Sequence, residues 1–393
     1  TFIAGIVGSG IPLPYRKPGM SSLGFNKNGL LKRKTDYAYV NGQPQMVTQT
    51  INDYQTVEES FYQSIAYENL ATTNVALSYE MEAYPALHAE KILLMSTTEK
   101  TPEVTTKTYK YGSTQHIFPT QTDVTRSDGR VTTVKQYYAP DNYPGLSATA
   151  LAAKTEMVNQ HILSPVIATE STTGNSVETV KNNYKLFNNN MPLLESVETM
   201  QNNGNFDLRF NYLDYDAQAN LRGQSKPKDA PSAYLWGYNN TYVIAEVKNA
   251  LPDQVFHTSF EEDGNSTADD AKTGHKSKTN GFSINLTKLT AGKYILSWWS
   301  KSGTVWQQQV QTITVGSTSY TINLTGQVDE VRFYPVGALM TTYTYDPLIG
   351  VKSITDPNQR LIKYEYDSLG RLLLIRDNDN NIIKKYTYNY QQR

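Results

Sequence analysis

A short alternating motif recurs near the C-terminal end of this chain, about 21 residues apart. Tyr343-Thr344-Tyr345-Asp346-Pro347-Leu348-Ile349-Gly350 opens one unit. Tyr364-Glu365-Tyr366-Asp367-Ser368-Leu369-Gly370-Arg371-Leu372 opens the next, and Tyr386-Thr387-Tyr388-Asn389-Tyr390 begins a third. Between them, Ile354-Thr355-Asp356-Pro357-Asn358 is echoed by Ile375-Arg376-Asp377-Asn378-Asp379. Each unit reads as strand, turn, strand, turn, and a fixed period of this kind constrains the fold more than any composition does. Tyrosines at i and i+2 share one face of a strand. The aspartate is placed to cap the turn by accepting a backbone N–H two residues on, and Gly350 and Gly370 are expected to supply positive φ where the hairpins close. Stacked in register, equivalent tyrosines are expected to form cross-strand aromatic pairs worth roughly 0.2–1 kcal/mol each.

The wording resembles the RHS/YD-repeat family, whose signature is Tyr-Asp-x-x-Gly-Arg-Leu followed by a turn rich in Asp, Pro and Gly. Tyr366, Asp367, Gly370 and Arg371 fit it position for position; Tyr345, Asp346 and Gly350 fit with one extra residue and no arginine. Residues 1–230 read as a degenerate version of the same sheet. Ser127-Asp128-Gly129-Arg130 is a turn before a strand, and Tyr215-Asp216 leads to Ala219-Asn220-Leu221-Arg222-Gly223, a near copy of the Tyr-Asp turn. Tyr234-Leu235-Trp236-Gly237-Tyr238, in the connecting segment 231–250, is similar to RHS-like proteins of Bacteroidota. One helix is expected from Ser147 to Ile162, rich in Ala, Leu, Met and Gln and ending before Pro165.

Residues 251–338 change character. A Gly/Lys-rich polar stretch, 263–280, is followed by a run of strands, which predicts a β-sandwich inserted between repeat blocks, with 339–393 returning to the repeats. Phe260-Glu261-Glu262-Asp263-Gly264, Leu296-Ser297-Trp298-Trp299 and Val328-Asp329-Glu330-Val331-Arg332-Phe333-Tyr334-Pro335 resemble jelly-roll carbohydrate-binding modules. That resemblance implies a structural calcium, with hard oxygen ligands from Glu261, Asp263 and Asp329; the alternative is surface charge at strand ends. It also implies a glycan partner. Alternation puts Tyr294, Leu296 and Trp298 on the core face and Trp299 on the other, so Trp299 is the expected exposed stacking platform, with Trp306 and Tyr320 as further candidates. Packing in the core is the competing expectation for all three.

Several function classes are excluded or unsupported. With 36 basic and 37 acidic residues and a net charge of −1, there is no cationic field to attract nucleic acid. No cysteine is present, which removes disulfides, thiolate chemistry and cysteine-held metals. No segment has the roughly 20 apolar residues of a membrane span, and Phe2 to Ile11 lacks the basic start and cleavage site of a signal peptide. His88-Ala89-Glu90 lacks the downstream cysteines of a deaminase zinc motif. Gly5, Gly8 and Gly10 are not followed by the Lys-Ser/Thr of a phosphate loop. Asp377-Asn378-Asp379 lacks the glycine and glutamate of a calcium loop. No enzyme is expected.

The expectation is therefore an all-β protein: a spiralling antiparallel YD-repeat sheet forming a shell or barrel, an inserted jelly-roll sandwich and few helices. Both ends read as cuts in a longer chain. Resemblance to the family implies an exported, extracellular or cell-surface scaffold of a polymorphic-toxin-like protein. Its partner would be its own C-terminal effector domain, outside these residues, with a type IX secretion machinery as a further partner implied by the Bacteroidota wording. The competing expectation is a cell-surface adhesin that binds glycan through the sandwich.

Overall fold

The structure, a computed structural model, describes residues 29–70, 78–202, 204–264, 267–268 and 270–389. The glycines at 5, 8 and 10 and the apolar stretch 2–11 lie outside the described residues, as does the side chain of His88. The fold is all-β and antiparallel, with one α-helix among the described residues. The chain divides into two compact units, residues 1–136 with 170–176, and residues 137–169 with 177–393.

The first unit is a meander. β1 (Arg33–Val40), β2 (Gln43–Leu70), β3 (Ser78–Lys100), β4 (Val104–Lys110), β5 (Gln121–Thr125) and β6 (Val131–Tyr138) each pair antiparallel with the next. Gly129, at a φ of 78°, closes the β5–β6 turn, where a side chain would be strained.

In the second unit, α1 (Ala148–Asn159) begins at Ser147, whose hydroxyl accepts the Ala150 N–H. It buries Ala150, Ala153 and Met157, and Met157 joins Ala139, Tyr143 and two residues of β7 (Val166–Thr173), Ile167 and Ala168, in one apolar cluster. Then come β8 (Ser176–Phe187), β9 (Met191–Gln201), β10 (Asp207–Tyr215), β11 (Leu221–Ser225), β12 (Ser232–Gly237) and β13 (Tyr242–Lys248), again paired in series.

The sandwich follows: β14 (Phe256–Thr258), β15 (Thr267–Ala268), β16 (Lys276–Ser277), β17 (Phe282–Thr287), β18 (Gly292–Ser302), β19 (Val305–Val315), β20 (Ser319–Leu324) and β21 (Gln327–Pro335). Its pairings are nested, β18 with β19, β17 with β20, and β14 with β21. β18 also pairs with β21, which builds a four-stranded sheet opposite the β17–β20 ribbon. Tyr294, Leu296, Trp298, Val331 and Phe333 from the sheet meet Ile322 and Leu324 from the ribbon in one core.

Finally β22 (Leu339–Asp346), β23 (Gly350–Thr355), β24 (Leu361–Tyr366), β25 (Leu372–Arg376) and β26 (Ile382–Lys385) resume the meander. β22 pairs directly with β13, from Ala245↔Thr342 to Lys248↔Leu339. The sandwich thus leaves and re-enters one sheet between neighbouring strands. It packs back on that sheet through Ala233, Ala245, Val247 and Met340 on one side and Val255, Tyr334 and Ile295 on the other. Four alanines, Ala233, Ala245, Ala250 and Ala338, belong to this cluster and keep the side-chain volume between the two layers small.

Candidate functional site: the repeat turns and the sandwich seam

One turn recurs in the repeat sheet. At Asp216, Asp356, Asp367 and Asp377 the aspartate N–H donates to the carbonyl four residues on (Asn220, Arg360, Arg371, Asn381), and its Oδ1 accepts the N–H of that same residue. The position before it has positive φ: Ala219 at 68°, Gln359 at 64°, Gly370 at 74° and Asn380 at 65°. Only one of the four is glycine, so the loop closure and not the residue type holds the conformation. Arg371 Nε also donates to Asp367 Oδ2 at 2.8 Å, and hydrogen bonds from Arg371 hold the Asp367 carboxyl below its usual range.

Two expectations for the other motif copy are corrected. Asp346 does not cap its turn: its Oδ1 lies 2.5 Å from His275 Nε2 and its Oδ2 3.5 Å from Lys352, because the sandwich brings His275 against it. Gly350 does not carry the positive φ, which falls on the exposed Leu348 at 68°. Glycine is needed there for space: a Cβ would lie 2.6 Å from the Tyr366 hydroxyl.

The tyrosines also work differently from the expected ladder. Tyr345 contacts Tyr343 and the preceding Tyr238 and Tyr242 rings, but no ring stack joins Tyr345, Tyr366 and Tyr388 to one another. Each instead donates its hydroxyl to a backbone carbonyl of a neighbouring strand of the sheet: Tyr345 to Val243 at 2.7 Å, Tyr366 to Val351 at 2.8 Å, Tyr388 to Leu372 at 2.8 Å. Tyr215 does the same to Leu194 at 2.7 Å. A register shift immediately precedes Tyr215, Tyr345 and Tyr366, and such a bulge re-aims the side chain along the sheet. Burial pushes the Tyr215 and Tyr345 hydroxyls up to about 12. Between repeats, the Arg371 guanidinium lies 4.4 Å from the Tyr388 ring centre, where a second tyrosine was expected.

In the sandwich, Trp299 is not the exposed platform: it is 5% exposed, donates Nε1–H to Glu330 at 3.2 Å, and carries the Lys272 ammonium over its ring at 4.3 Å. The face of β18 opposite the core is covered by the repeat sheet and the 270–278 loop, which alternation alone does not reveal. Tyr320 is half-buried and stacked on Phe333, with ring centres 5.7 Å apart. Trp306 is half-buried beneath Lys301, 5.7 Å away.

The expected calcium ligands do not fit a cation. Asp329 is fully buried and its Oδ2 accepts the N–H groups of Lys272 and Thr273, both at 2.8 Å. Glu261 Oε1 accepts those of His275 and Lys276 at 2.8 and 2.9 Å. Asp263 pairs with Lys278 at 2.6 Å. Each carboxylate faces N–H or ammonium donors, which compete for the lone pairs a cation would need, and no cluster of three or more acidic or histidine ligands occurs among the described residues. What these acids hold is the 270–278 loop itself. Burial raises the Asp329 carboxyl well above its usual range and raises Glu261 as well.

Sequence reasoning passed over the residues that join the two layers. Glu262 accepts the N–H groups of Tyr238 and Asn239 at 2.6 and 2.7 Å. Glu330 accepts the Thr342 hydroxyl at 2.6 Å. Arg332, 1% exposed, donates through Nη2 to the carbonyls of Met340 and, at 3.3 Å, Asp356. His257 and Ser297 are its cross-strand partners on either side. Glu262 and Arg332 lie inside motifs read from the sequence, but their partners are remote and no local pattern marks them.

No family model matches the chain, and no curated protein matches it. Among solved structures it is similar to TcdB2-TccC3-TEV, with a TM-score of 0.23 and 10% identity over 86% of this chain and 24% of that chain. The Photorhabdus luminescens Tc holotoxin pore gives 0.24 and 11%, over 86% and 15%. TcdB2-TccC3 without its hypervariable C-terminal region gives 0.19 and 11%, over 89% and 23%. This chain spans less than a quarter of each of those chains. TM-scores this low place no strand here on a particular strand there.

Proposed function

We propose that this chain is part of the β scaffold of a longer exported protein of RHS/YD-repeat type, whose repeat sheet shelters a C-terminal effector segment. The observation that carries the reading is the recurrence of one turn and one tyrosine-to-carbonyl bond on both sides of the insertion, at Asp216 and Tyr215 and again at Asp367 and Tyr366. A sheet built from one repeated hairpin extends by stacking copies and needs no catalytic group. Burial of Trp299 and the commitment of Glu261, Asp263 and Asp329 to loop contacts count against the glycan-binding head and its calcium. Limited proteolysis of the full-length polypeptide tests the reading: residues C-terminal to the repeats should resist protease while the sheet is intact and become cleavable once it is unfolded. Cleavage at the rate of a free peptide, with the sheet still folded, would overturn it.

A further inference from the structure

The joint between the sandwich and the repeat sheet is polar at its centre. His257, Arg332 and Ser297 stand side by side on β14, β21 and β18 as cross-strand partners, so their side chains share one face at the spacing of adjacent strands. That face meets the repeat sheet, because Arg332 Nη2 reaches the carbonyls of Met340 and Asp356, and Thr355 adjoins the second of these. All four residues are nine-tenths or more buried. Five of their side-chain polar atoms have no hydrogen-bond partner in the protein: Arg332 Nε and Nη1, His257 Nε2, Ser297 Oγ and Thr355 Oγ1. A buried polar group left unpaired forfeits its hydration without compensation, a charged one most of all, so a native joint does not leave five of them dry.

The chemistry of these atoms selects what fills the joint. Arg332 offers only donors. His257 Nδ1 lies 3.1 Å from the Val331 carbonyl, which can only accept, so Nδ1 carries the hydrogen. Burial and the neighbouring Arg332 charge keep the ring neutral, which leaves Nε2 a lone pair and makes it an acceptor. The two hydroxyls work either way. An anion would satisfy Arg332 but face the lone pair on Nε2; a metal ion would satisfy Nε2 but face the guanidinium. Water donates and accepts, and so matches the whole set. We propose that the seam is a sealed hydration site, in which ordered water bridges Arg332 to Ser297, His257 and Thr355 and ties the sandwich to the repeat sheet. This rests on the seam geometry alone and holds whether or not the chain belongs to an effector-sheltering scaffold. Its consequence is that the inserted sandwich is a fixed part of the sheet's surface and not a detachable head.

The test is a crystal structure of the protein grown in sodium bromide, with anomalous data collected at the bromine edge and at a resolution that shows ordered water. The expected result is solvent density without anomalous signal, within hydrogen-bond distance of Arg332 Nε or Nη1 and of Ser297 Oγ or His257 Nε2. A bromide peak at Arg332 would overturn the proposal in favour of an anion, and direct pairing of these side chains with no density between them would overturn it in favour of a dry joint. Ser297→Val provides a second arm: its methyl groups displace the water while the sandwich core on the opposite face is unchanged. The density beside Arg332 should be lost and the unfolding midpoint should fall by several degrees. An unchanged or raised midpoint, with the fold retained, would overturn the proposal.

Discussion

The repeat sheet and the inserted sandwich are both antiparallel β structure, yet they satisfy their polar groups over different distances along the chain. In the repeats, Asp367 closes its turn on Leu369 and Arg371, and Tyr366 reaches Val351, 15 residues back. In the sandwich, Asp329 holds Lys272 and Thr273, 57 and 56 residues away, and His275 meets Asp346 across 71. The first pattern is modular: damage to one hairpin is felt by its neighbours. The second is cooperative, since a nested set of strands has one core and one set of clamps. Stability in stacked repeats is approximately a sum of local terms, whereas a single core is lost as a unit.

The largest effect should come from Phe333→Ala in the sandwich. Phe333 is fully buried, with Tyr294 stacked on it at 4.7 Å and Tyr320 at 5.7 Å between ring centres. Truncation should cost about 3–5 kcal/mol in denaturant unfolding. Hydrogen exchange should speed up across residues 251–338 together while β24 to β26 keep their protection. Equal loss in both regions would abolish the contrast between modular repeats and a cooperative sandwich.

Acid should also act on the sandwich first. His257 is pushed down to about 3 by burial, then by the Arg332 charge, and is partly restored by its bond to Val331. The unfolded chain takes up the proton near pH 6.5, so this contribution is complete above that pH and falls away as pH drops from about 6.5 towards 3. The loss should be on the order of a few kcal/mol, seen as a falling thermal midpoint. His257→Gln, whose amide can still donate to Val331, should flatten the slope. Asp329 has the opposite sign: with its carboxyl raised by burial, its contribution is lost as pH rises from about 3.8 through its higher folded value.

In the repeats, Gly350→Ala should cost about 1–3 kcal/mol, because the new methyl meets the Tyr366 hydroxyl and ring. Adding Tyr366→Phe removes the nearest clashing atom, so the double variant should be less destabilised than the sum of the singles. The smallest effect is Tyr366→Phe alone. It leaves the Val351 carbonyl without that donor and should cost about 0.5–1.5 kcal/mol, with faster exchange confined to β23 and β24.

The modular half was legible because its contacts are local. The spacing of Tyr345 and Tyr366 located the strands, and Asp367 with Gly370 and Arg371 located a turn whose bonds span four residues. The helix was legible for the same reason: Ser147 is its N-cap and the segment stops short of Pro165. Errors appeared wherever a residue answers to a remote partner. Asp346 has the same local wording as Asp367 but turns to His275; Gly350 has the position of a turn glycine but serves the Tyr366 ring; Trp299 alternates outward and is then covered.

By itself, then, the sequence determined an antiparallel β chain of repeated Tyr-Asp hairpins interrupted by a sandwich, because strand alternation and turn closure act over a few residues. Only the tertiary structure decided that β13 and β22 are neighbours across the insertion, that the acidic residues of the sandwich grip a loop in place of a cation, and that Arg332, His257 and Ser297 meet in a buried joint. Those outcomes depend on which faces come together when two layers pack. Burial converts an ordinary surface residue into a clamp only after a distant segment has covered it.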